Sequence, residues 1–329
     1  MTPTIQMTSS QYTVDPTWPR IPEGWDLVEV VGVASDSRDR VYVFNRGEHP
    51  VIVFERDGTF VKSWGEGRFG RAHGIHIGPD DSVYLTDDFR HTVQKFTLDG
   101  ELLMTLGESG RPSDTGVEGN DYRTIQRGAG PFNQPTNVAL TPAGEIYVTD
   151  GYGNARVHKF SARGELLFSW GEPGAGPGQF NLPHGIAIDS DGVVYVADRE
   201  NDRLQLFQPD GTFISEWTRV SRPAQVFIDP EDRIYVAEIG WRCGLFPGVV
   251  PVDPGGAYVS VLDREGNVLD RWGGSENPCA PGDFYAPHDV WVDRFGDVYV
   301  GEVTWSAGGR KGLIPKDCHC LQKFVLKRA

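Results

Sequence analysis

The sequence contains 329 residues with a formal net charge of −15, and its 41 glycines and 23 prolines accompany many β-branched and aromatic residues. This length and composition indicate one large, turn-rich β domain rather than a disordered chain. The acidic charge without a basic run argues against nucleic acid as a partner, and no apolar run is long enough to span a membrane.

The first 24 residues are predicted to be an N-terminal extension. They lack the basic start and apolar segment of a signal peptide, so we expect a cytoplasmic protein, or a secreted or periplasmic one if a leader has been removed. The segment WDLVEV at residues 25–30 has strand character but belongs to none of the repeats that follow.

Six copies of a four-strand unit occupy the rest of the chain. In the fourth copy the strands read GIAI at 185–188, VVYVAD at 193–198, LQLF at 204–207 and FISEW at 213–217. Six such units predict an all-β, six-bladed β-propeller in which residues 1–329 form a single domain. The sixth copy ends without a fourth strand, so we predict that an N-terminal strand, at residues 25–30, completes the last blade and closes the ring.

Three insertions interrupt the repeats, at about residues 108–136, 239–257 and 304–320. In an antiparallel blade all three positions fall at the same end of the strands. Function on a rigid scaffold is usually carried by such loops.

Histidine alternates with other residues at one position of the repeat. The residues that precede the first strands of the six copies are Val31, His73, Thr136, His184, Ala224 and His288. First strands line the central channel of a propeller, so the three imidazoles are expected to converge on its axis. Three histidines with an open fourth position are typical of catalytic zinc, although imidazole also suits other divalent metals. The alternative is that each histidine merely caps a strand.

A second repeat position, after the second strand of each copy, carries Arg46, Tyr152 and Arg199. The arginines are suited to hold a carboxylate, and a tyrosine near a metal ion can act as a base. The alternative is that each arginine pairs with an acid of a neighbouring blade, for example Asp150 or Asp198.

The remaining histidines and the four cysteines have weaker patterns. The cysteines are open to three interpretations: a disulfide, free thiols, or a second site for a soft metal. They are Cys243, Cys279, Cys318 and Cys320. Five histidines are interpreted as structural or surface residues: His49, His76, His91, His158 and His319.

At these residues the chain resembles the peptidyl-α-hydroxyglycine α-amidating lyase family, whose fold is a six-bladed β-propeller of NHL type. The segments that carry the resemblance include NRGEH, DGYGNAR, two copies of PH, and VADRENDRLQLF. By matching position, the resemblance implies zinc ligands at His73, His184 and His288. It also implies catalytic roles for Arg46, Tyr152 and Arg199.

The resemblance further implies a structural calcium ion, bound by the carboxylate of Asp289 and by main-chain carbonyls at Val33 and Ile75. Calcium prefers such oxygen ligands. The sequence departs from the family at two positions, where Ala286 replaces a methionine and Gly153 replaces a cysteine.

The implied activity is a zinc-dependent carbon–nitrogen lyase that cleaves a carbinolamide, such as a peptidyl-α-hydroxyglycine, to an amide and glyoxylate. Its partner would be a small-molecule or peptide substrate that bears a carboxylate. Two alternatives remain: a zinc-dependent hydrolase or hydratase of a small molecule on the same three histidines, and a non-catalytic NHL scaffold that binds protein.

Overall fold

Six antiparallel four-stranded sheets are present in the part of the chain that the structure describes, and each corresponds to one copy of the sequence repeat. The structure is a computed structural model that describes residues 9, 11–243 and 256–328. The prediction of an all-β, six-bladed β-propeller is therefore confirmed. No helix within those residues has the length and apolarity needed to cross a bilayer.

The strands follow one another in nearly regular order along each blade. The N-terminal strand and the strands of blades 1 and 2 are β1 (Tyr12–Val14), β2 (Val30–Ser35), β3 (Val41–Asn45), β4 (Val51–Phe54), β5 (Phe60–Trp64), β6 (Ala72–Ile77), β7 (Val83–Asp87), β8 (Thr92–Phe96) and β9 (Leu102–Leu106). Blades 3 and 4, with a two-stranded ribbon of β14 and β15 between them, contain β10 (Pro135–Leu140), β11 (Ile146–Asp150), β12 (Arg156–Phe160), β13 (Leu166–Trp170), β14 (Glu172–Pro173), β15 (Gln179–Phe180), β16 (Pro183–Ile188), β17 (Val194–Asp198), β18 (Arg203–Phe207) and β19 (Phe213–Trp217). Blades 5 and 6 contain β20 (Pro223–Ile228), β21 (Ile234–Glu238), β22 (Tyr258–Leu262), β23 (Val268–Gly273), β24 (Pro287–Val292), β25 (Val298–Glu302) and β26 (Leu321–Leu326).

An N-terminal strand completes the last blade, but it is not the strand that the sequence predicted. Strand β1 pairs antiparallel with β26, with Tyr12 opposite Leu326 and Val14 opposite Phe324. The prediction of residues 25–30 was wrong, because only Val30 of that segment lies in a strand, and this strand opens blade 1.

A local turn explains why the segment at 25–30 is not a strand. The Asp26 side chain accepts a hydrogen bond from the Val28 amide, and Val28 has a φ of 35°, outside the β region. Trp25 and Leu27 instead pack against a hydrophobic cluster that includes Ile52 and Phe54. Their apolar character is thus satisfied by packing rather than by pairing.

The sheets fall into two compact units, one with blades 5, 6 and 1 and the other with blades 2, 3 and 4. In the first unit, separate hydrophobic clusters join blade 5 to blade 6 and blade 6 to blade 1, around Trp272 and Trp18 respectively. In the second unit, clusters around Phe132 and Phe180 join blades 2, 3 and 4. Within each unit, the core therefore lies between neighbouring sheets, where aromatic residues bury the largest area.

The insertions contain short helical turns. The insertion at 108–136 includes a 3₁₀ turn at Tyr122–Thr124, and another 3₁₀ turn, Arg199–Asn201, follows β17. The insertion at 304–320 contains helix α1 (Thr304–Ala307) and a 3₁₀ turn at Gly309–Lys311. Most of the predicted insertion at 239–257 lies outside the described residues.

Candidate metal and substrate site

The three alternating histidines occupy the same irregular point of their strands. The pairing register shifts between Ala72 and Ile75 in β6, and between Pro183 and Ile186 in β16. It shifts in β24 at His288. Such bulges re-aim a side chain and are common beside active sites. The histidine side chains are almost fully enclosed, since His73 and His184 are 0% exposed and His288 is 4% exposed.

Backbone carbonyls fix the orientation of two of these rings. The Nδ1 atom of His73 lies 2.7 Å from the carbonyl oxygen of Thr136, and the Nδ1 atom of His288 lies 2.9 Å from that of Val31. A carbonyl only accepts hydrogen bonds, so Nδ1 carries the proton in both rings and Nε2 keeps its lone pair. Metal-binding histidines are usually held in this way.

One nitrogen from each of His73, His184 and His288 lies within 4.8 Å of those of the other two, so the three histidines form a cluster that could bind a metal ion. Three imidazole donors suit zinc and related divalent ions. Among the described residues, no other histidine belongs to this cluster.

Tyr152, which follows β11, lies between two of the histidines. Its hydroxyl oxygen is 3.1 Å from Nε2 of His73 and 3.1 Å from Nε2 of His184. The single hydroxyl proton serves one of these nitrogens at a time. The Tyr152 oxygen also accepts a hydrogen bond of 3.3 Å from Nη1 of Arg199. The phenol is therefore placed where it can exchange a proton with a group bound at the histidines.

Arg199 is 0% exposed and is held from the side opposite Tyr152 by Glu200. Its Nε donates a hydrogen bond of 2.8 Å to Oε1 of Glu200, and Tyr122 of the insertion at 108–136 donates one of 3.2 Å to Oε2. Burial acts to lower the pKa of Arg199, but the charges of Tyr152 and Glu200 outweigh it and the pKa is raised. The guanidinium thus remains charged next to the phenol.

Arg71 lies on another side of Tyr152. Its guanidinium carbon is 5.3 Å from the centre of the Tyr152 ring and 4.5 Å from that of Phe89. Its Nε donates to Oδ2 of Asp88 over 2.8 Å. Two guanidinium groups, those of Arg71 and Arg199, therefore lie within cation–π distance of one tyrosine.

Arg46 forms an ion pair with Glu29 at 2.7 Å. Burial acts to raise the pKa of Glu29, but Arg46 and the hydrogen bond from the Ser306 amide outweigh it, and the pKa is lowered. The acids that the alternative interpretation named have other partners: Asp198 pairs with Arg203, and Asp150 contacts His158.

Comparisons with known proteins identify the same repeat that the sequence predicts. The model of the NHL repeat matches residues 132–160 and 180–207. Human NHL repeat-containing protein 3 is 30% identical over 311 residues, which cover 89% of this chain and 81% of that protein. The chain belongs to the NHL-repeat family.

Two further matches describe the relatives of this NHL-repeat protein. Peptidyl-alpha-hydroxyglycine alpha-amidating lyase 1 of Drosophila melanogaster is 33% identical over 294 residues, covering 82% of this chain and 50% of the fly protein. The structure of streptogramin B lyase matches with a TM-score of 0.59 at 12% identity, covering 96% of this chain and 98% of that one. The second match shows a similar fold only.

Of the three residues predicted to bind calcium in this NHL-repeat protein, Asp289 and Val33 are in direct contact. Oδ2 of Asp289 accepts a hydrogen bond of 2.7 Å from the Val33 amide, and Asp289 is 2% exposed. Burial raises the pKa of Asp289 to about 7, although the amides of Val33 and Val290 and the Gln225 side chain act to lower it. Ile75 lies in β6.

Two of the four cysteines form a disulfide, between Cys279 and Cys318. Cys243 and Cys320 are thiols, and burial raises the pKa of Cys320 beyond its usual range. His319 lies beside this disulfide, and its Nε2 is 3.0 Å from the Asp283 carbonyl oxygen and 3.2 Å from Oε1 of Glu302.

Sequence reasoning missed Arg71, Glu200 and Tyr122. Arg71 stands two residues before His73, and Glu200 directly follows Arg199. Both therefore lie next to residues that the sequence analysis had selected. Comparing the residues around the repeat positions would have found them. Tyr122 lies in an insertion that has no counterpart in the other blades, so the repeat carries no signal for it.

Proposed function

We propose that the protein is a metal-dependent carbon–nitrogen lyase that cleaves a carbinolamide, such as a peptidyl-α-hydroxyglycine, to an amide and glyoxylate. The observation that carries the proposal is the Tyr152 hydroxyl, equidistant at 3.1 Å from Nε2 of His73 and Nε2 of His184. The 33% identity to the fly lyase supports the same reaction class.

The residues present fit a metal ion, because carbonyl groups orient the rings of His73 and His288 and leave Nε2 of each able to bind a metal ion. His73, His184 and His288 would hold the ion, for which zinc is the first candidate. When bound, it would supply Lewis-acid polarisation of the substrate hydroxyl. A structural calcium ion at Asp289, with the carbonyls of Val33 and Ile75, is part of the same proposal.

The proton transfers fall to Tyr152. As a phenolate, whose oxygen would lie 3.3 Å from Nη1 of Arg199, Tyr152 accepts the proton of the α-hydroxyl. The carbon–nitrogen bond breaks as the carbon–oxygen double bond forms, and the departing amide nitrogen takes a proton from the same phenol. The substrate R–CO–NH–CH(OH)–COO⁻ yields R–CO–NH₂ and OHC–COO⁻, and no water is consumed.

Arg46 and Arg199 are proposed to help orient the carboxylate of the substrate. The insertion at 108–136 lines a polar cavity of about 430 Å³ together with His91. The carbonyl oxygen of Gln134 accepts a hydrogen bond of 3.4 Å from the Tyr152 amide, so the cavity wall and the tyrosine share one backbone contact.

The test is a product analysis with α-hydroxyhippurate. Metal-loaded protein should release glyoxylate and benzamide in equal amounts, and His184→Ala should release neither above the uncatalysed rate. Release of benzoate instead of benzamide would indicate the hydrolase, and no reaction with any carbinolamide would overturn the lyase proposal.

A further inference from the structure

One pair of repeat positions carries an ion pair in two blades, with the charges exchanged. The two residues are 17 positions apart in both blades. In blade 1 the acid comes first, as Glu29, and the base second, as Arg46. In blade 2 the base comes first, as Arg71, and the acid second, as Asp88. Blade 2 therefore presents its guanidinium from the position two residues before the site histidine, His73.

Exposure distinguishes the guanidinium groups around Tyr152. The side chain of Arg199 is 0% exposed, whereas that of Arg71 is 29% exposed. Arg199 is committed to Glu200 and to the Tyr152 hydroxyl. Of these two guanidinium groups, that of Arg71 is the one exposed to solvent, and it lies next to the Tyr152 ring.

Asp88 holds Arg71 in place. Both Nε and Nη2 of Arg71 contact the same oxygen, Oδ2 of Asp88, which is itself 0% exposed. This uses one edge of the planar guanidinium, so the donors of Nη1 point away from the Asp88 carboxylate. A guanidinium oriented in advance binds a planar carboxylate with little further loss of side-chain freedom.

We propose that Arg71 is a substrate-binding residue that recognises the carboxylate of the ligand next to Tyr152, and that Asp88 positions it. The inference rests on the proposed function, because it assigns the anionic substrate of that site to a residue outside the set that the resemblance implies. Carboxylate ligands should therefore bind in preference to neutral amides of the same shape.

The experiment compares two ligands that the enzyme has no means to cleave, hippurate and hippuramide, by isothermal titration calorimetry. Wild type should bind hippurate roughly 10- to 100-fold more tightly, the usual worth of a hydrogen bond to a charged group. Arg71→Ala should lose most of this preference, and the remainder falls to Arg46 and Arg199. Arg68→Ala is the matched control, since Arg68 is exposed on the same segment and lies over Phe96, and it should keep the preference.

Two further variants keep the test decisive if Arg71→Ala fails to fold. Arg71→Lys retains a charge for Asp88 and should keep only part of the preference, because it lacks the planar fork. The double variant Arg71→Gln/Asp88→Asn removes both charges and should lose most of the preference. A hippurate preference that stays at the wild-type value in the double variant or in Arg71→Ala, or that is missing from wild type, would overturn the proposal.

The ligand comparison separates this inference from the lyase proposal. Hippurate has no α-hydroxyl, so its binding depends on carboxylate recognition and not on turnover. Failure to cleave α-hydroxyhippurate with an Arg71-dependent hippurate preference would reject the lyase and keep the anion site. Cleavage with no such preference would do the opposite.

Discussion

The hydroxyl of Tyr152 is the single atom on which the proposed chemistry depends. Tyr152→Phe removes that atom and keeps the ring between the guanidinium groups of Arg71 and Arg199. Turnover of α-hydroxyhippurate should fall roughly 10²–10⁴-fold, the usual contribution of general acid–base catalysis, while metal content and melting temperature stay close to wild type.

Steady-state kinetics with metal analysis checks this expectation. Tyr147→Phe is the matched control, because Tyr147 lies in the same blade and its hydroxyl donates to the Pro209 carbonyl instead. Equal activity of wild type and Tyr152→Phe would remove Tyr152 from the mechanism.

Glu200 is expected to act on the reaction through Arg199. Glu200→Ala leaves a buried guanidinium without its counter-charge, which typically costs about 3–5 kcal/mol of folding free energy. Glu200→Gln keeps an acceptor for Arg199 and should recover part of both stability and kcat. The measurement is kcat and KM together with thermal unfolding.

The control for this series is Glu216→Ala, which breaks a more exposed ion pair to Arg203 in the same blade. It should leave kcat unchanged. If Glu200→Ala and Glu200→Gln lowered stability but left kcat at the wild-type value, Glu200 would have a structural role only.

At the scale of single residues, repetition decides what the sequence could predict. The alternation of His73, His184 and His288 is visible because six copies can be aligned. The partner of Arg46 was not predictable, because Glu29 lies before β2 and reaches Arg46, after β3, only once these strands pair. The partner of Arg199 is the next residue in the sequence, Glu200. Glu29 and Glu200, rather than Asp150 and Asp198, are the acids that come within reach.

Strand β1 is the element that the sequence located incorrectly. A short strand such as Tyr12–Val14 has little pattern of its own, whereas residues 25–30 alternate as a strand does. The sequence pattern does not show the turn at Asp26. Strand β1 is stabilised by tertiary contacts, since the ring of Tyr12 packs on that of Trp272 with 5.3 Å between their centres. Tertiary contacts overrode strand propensity here.

Deletion of residues 1–15 should therefore destabilise the protein. It removes β1 and leaves the edge of β26 open to pairing with another chain. A lower melting temperature and concentration-dependent aggregation in light scattering are expected. Deletion of residues 1–8 keeps β1 and serves as the control. A shorter protein, lacking 1–15, that stayed soluble and melted like wild type would show that β1 is dispensable.

The insertion at 304–320 carries a group that makes stability depend on pH. Burial acts to lower the pKa of His319, but Glu302 and the Asp283 carbonyl outweigh it, and the pKa is raised. A raised pKa means that the folded state favours the protonated form. Its stabilisation is complete below the ordinary histidine pKa of about 6.5 and is lost as the pH rises through the folded pKa.

Thermal melts from pH 5.5 to 9 test this. The melting temperature of wild type should exceed that of His319→Gln at the acidic end, and the difference should shrink as the pH rises. His49→Gln, which alters a histidine stacked on Trp25, should give a difference without this trend. A difference between wild type and His319→Gln that grew with pH would contradict the assigned sign.

For the whole molecule, the repeat alone was sufficient to predict the number of blades and the four-strand order within them. All six copies share one strand pattern, so a strand that is misassigned in one copy can be corrected by comparison with the other five. The geometry of the site depends on features outside that average: the insertion that supplies Tyr122, and the contact of Arg71 with the Tyr152 ring. These follow from tertiary contact, which a single sequence does not display.

The intact protein is expected to bind one metal ion. If His73, His184 and His288 hold one ion, purified protein should contain about one zinc-like ion per chain by elemental analysis. Because the ion binds the folded state, its removal by a chelator should lower the melting temperature. A free metal-ion concentration 1,000 times its dissociation constant stabilises the folded protein by about 4 kcal/mol. His184→Ala should lose the ion and this response, whereas His91→Ala, whose ring accepts a hydrogen bond from the Gln134 amide, should keep both. Fully active wild-type protein without metal, or equal metal content in His184→Ala, would show that the three histidines serve the fold and not an ion.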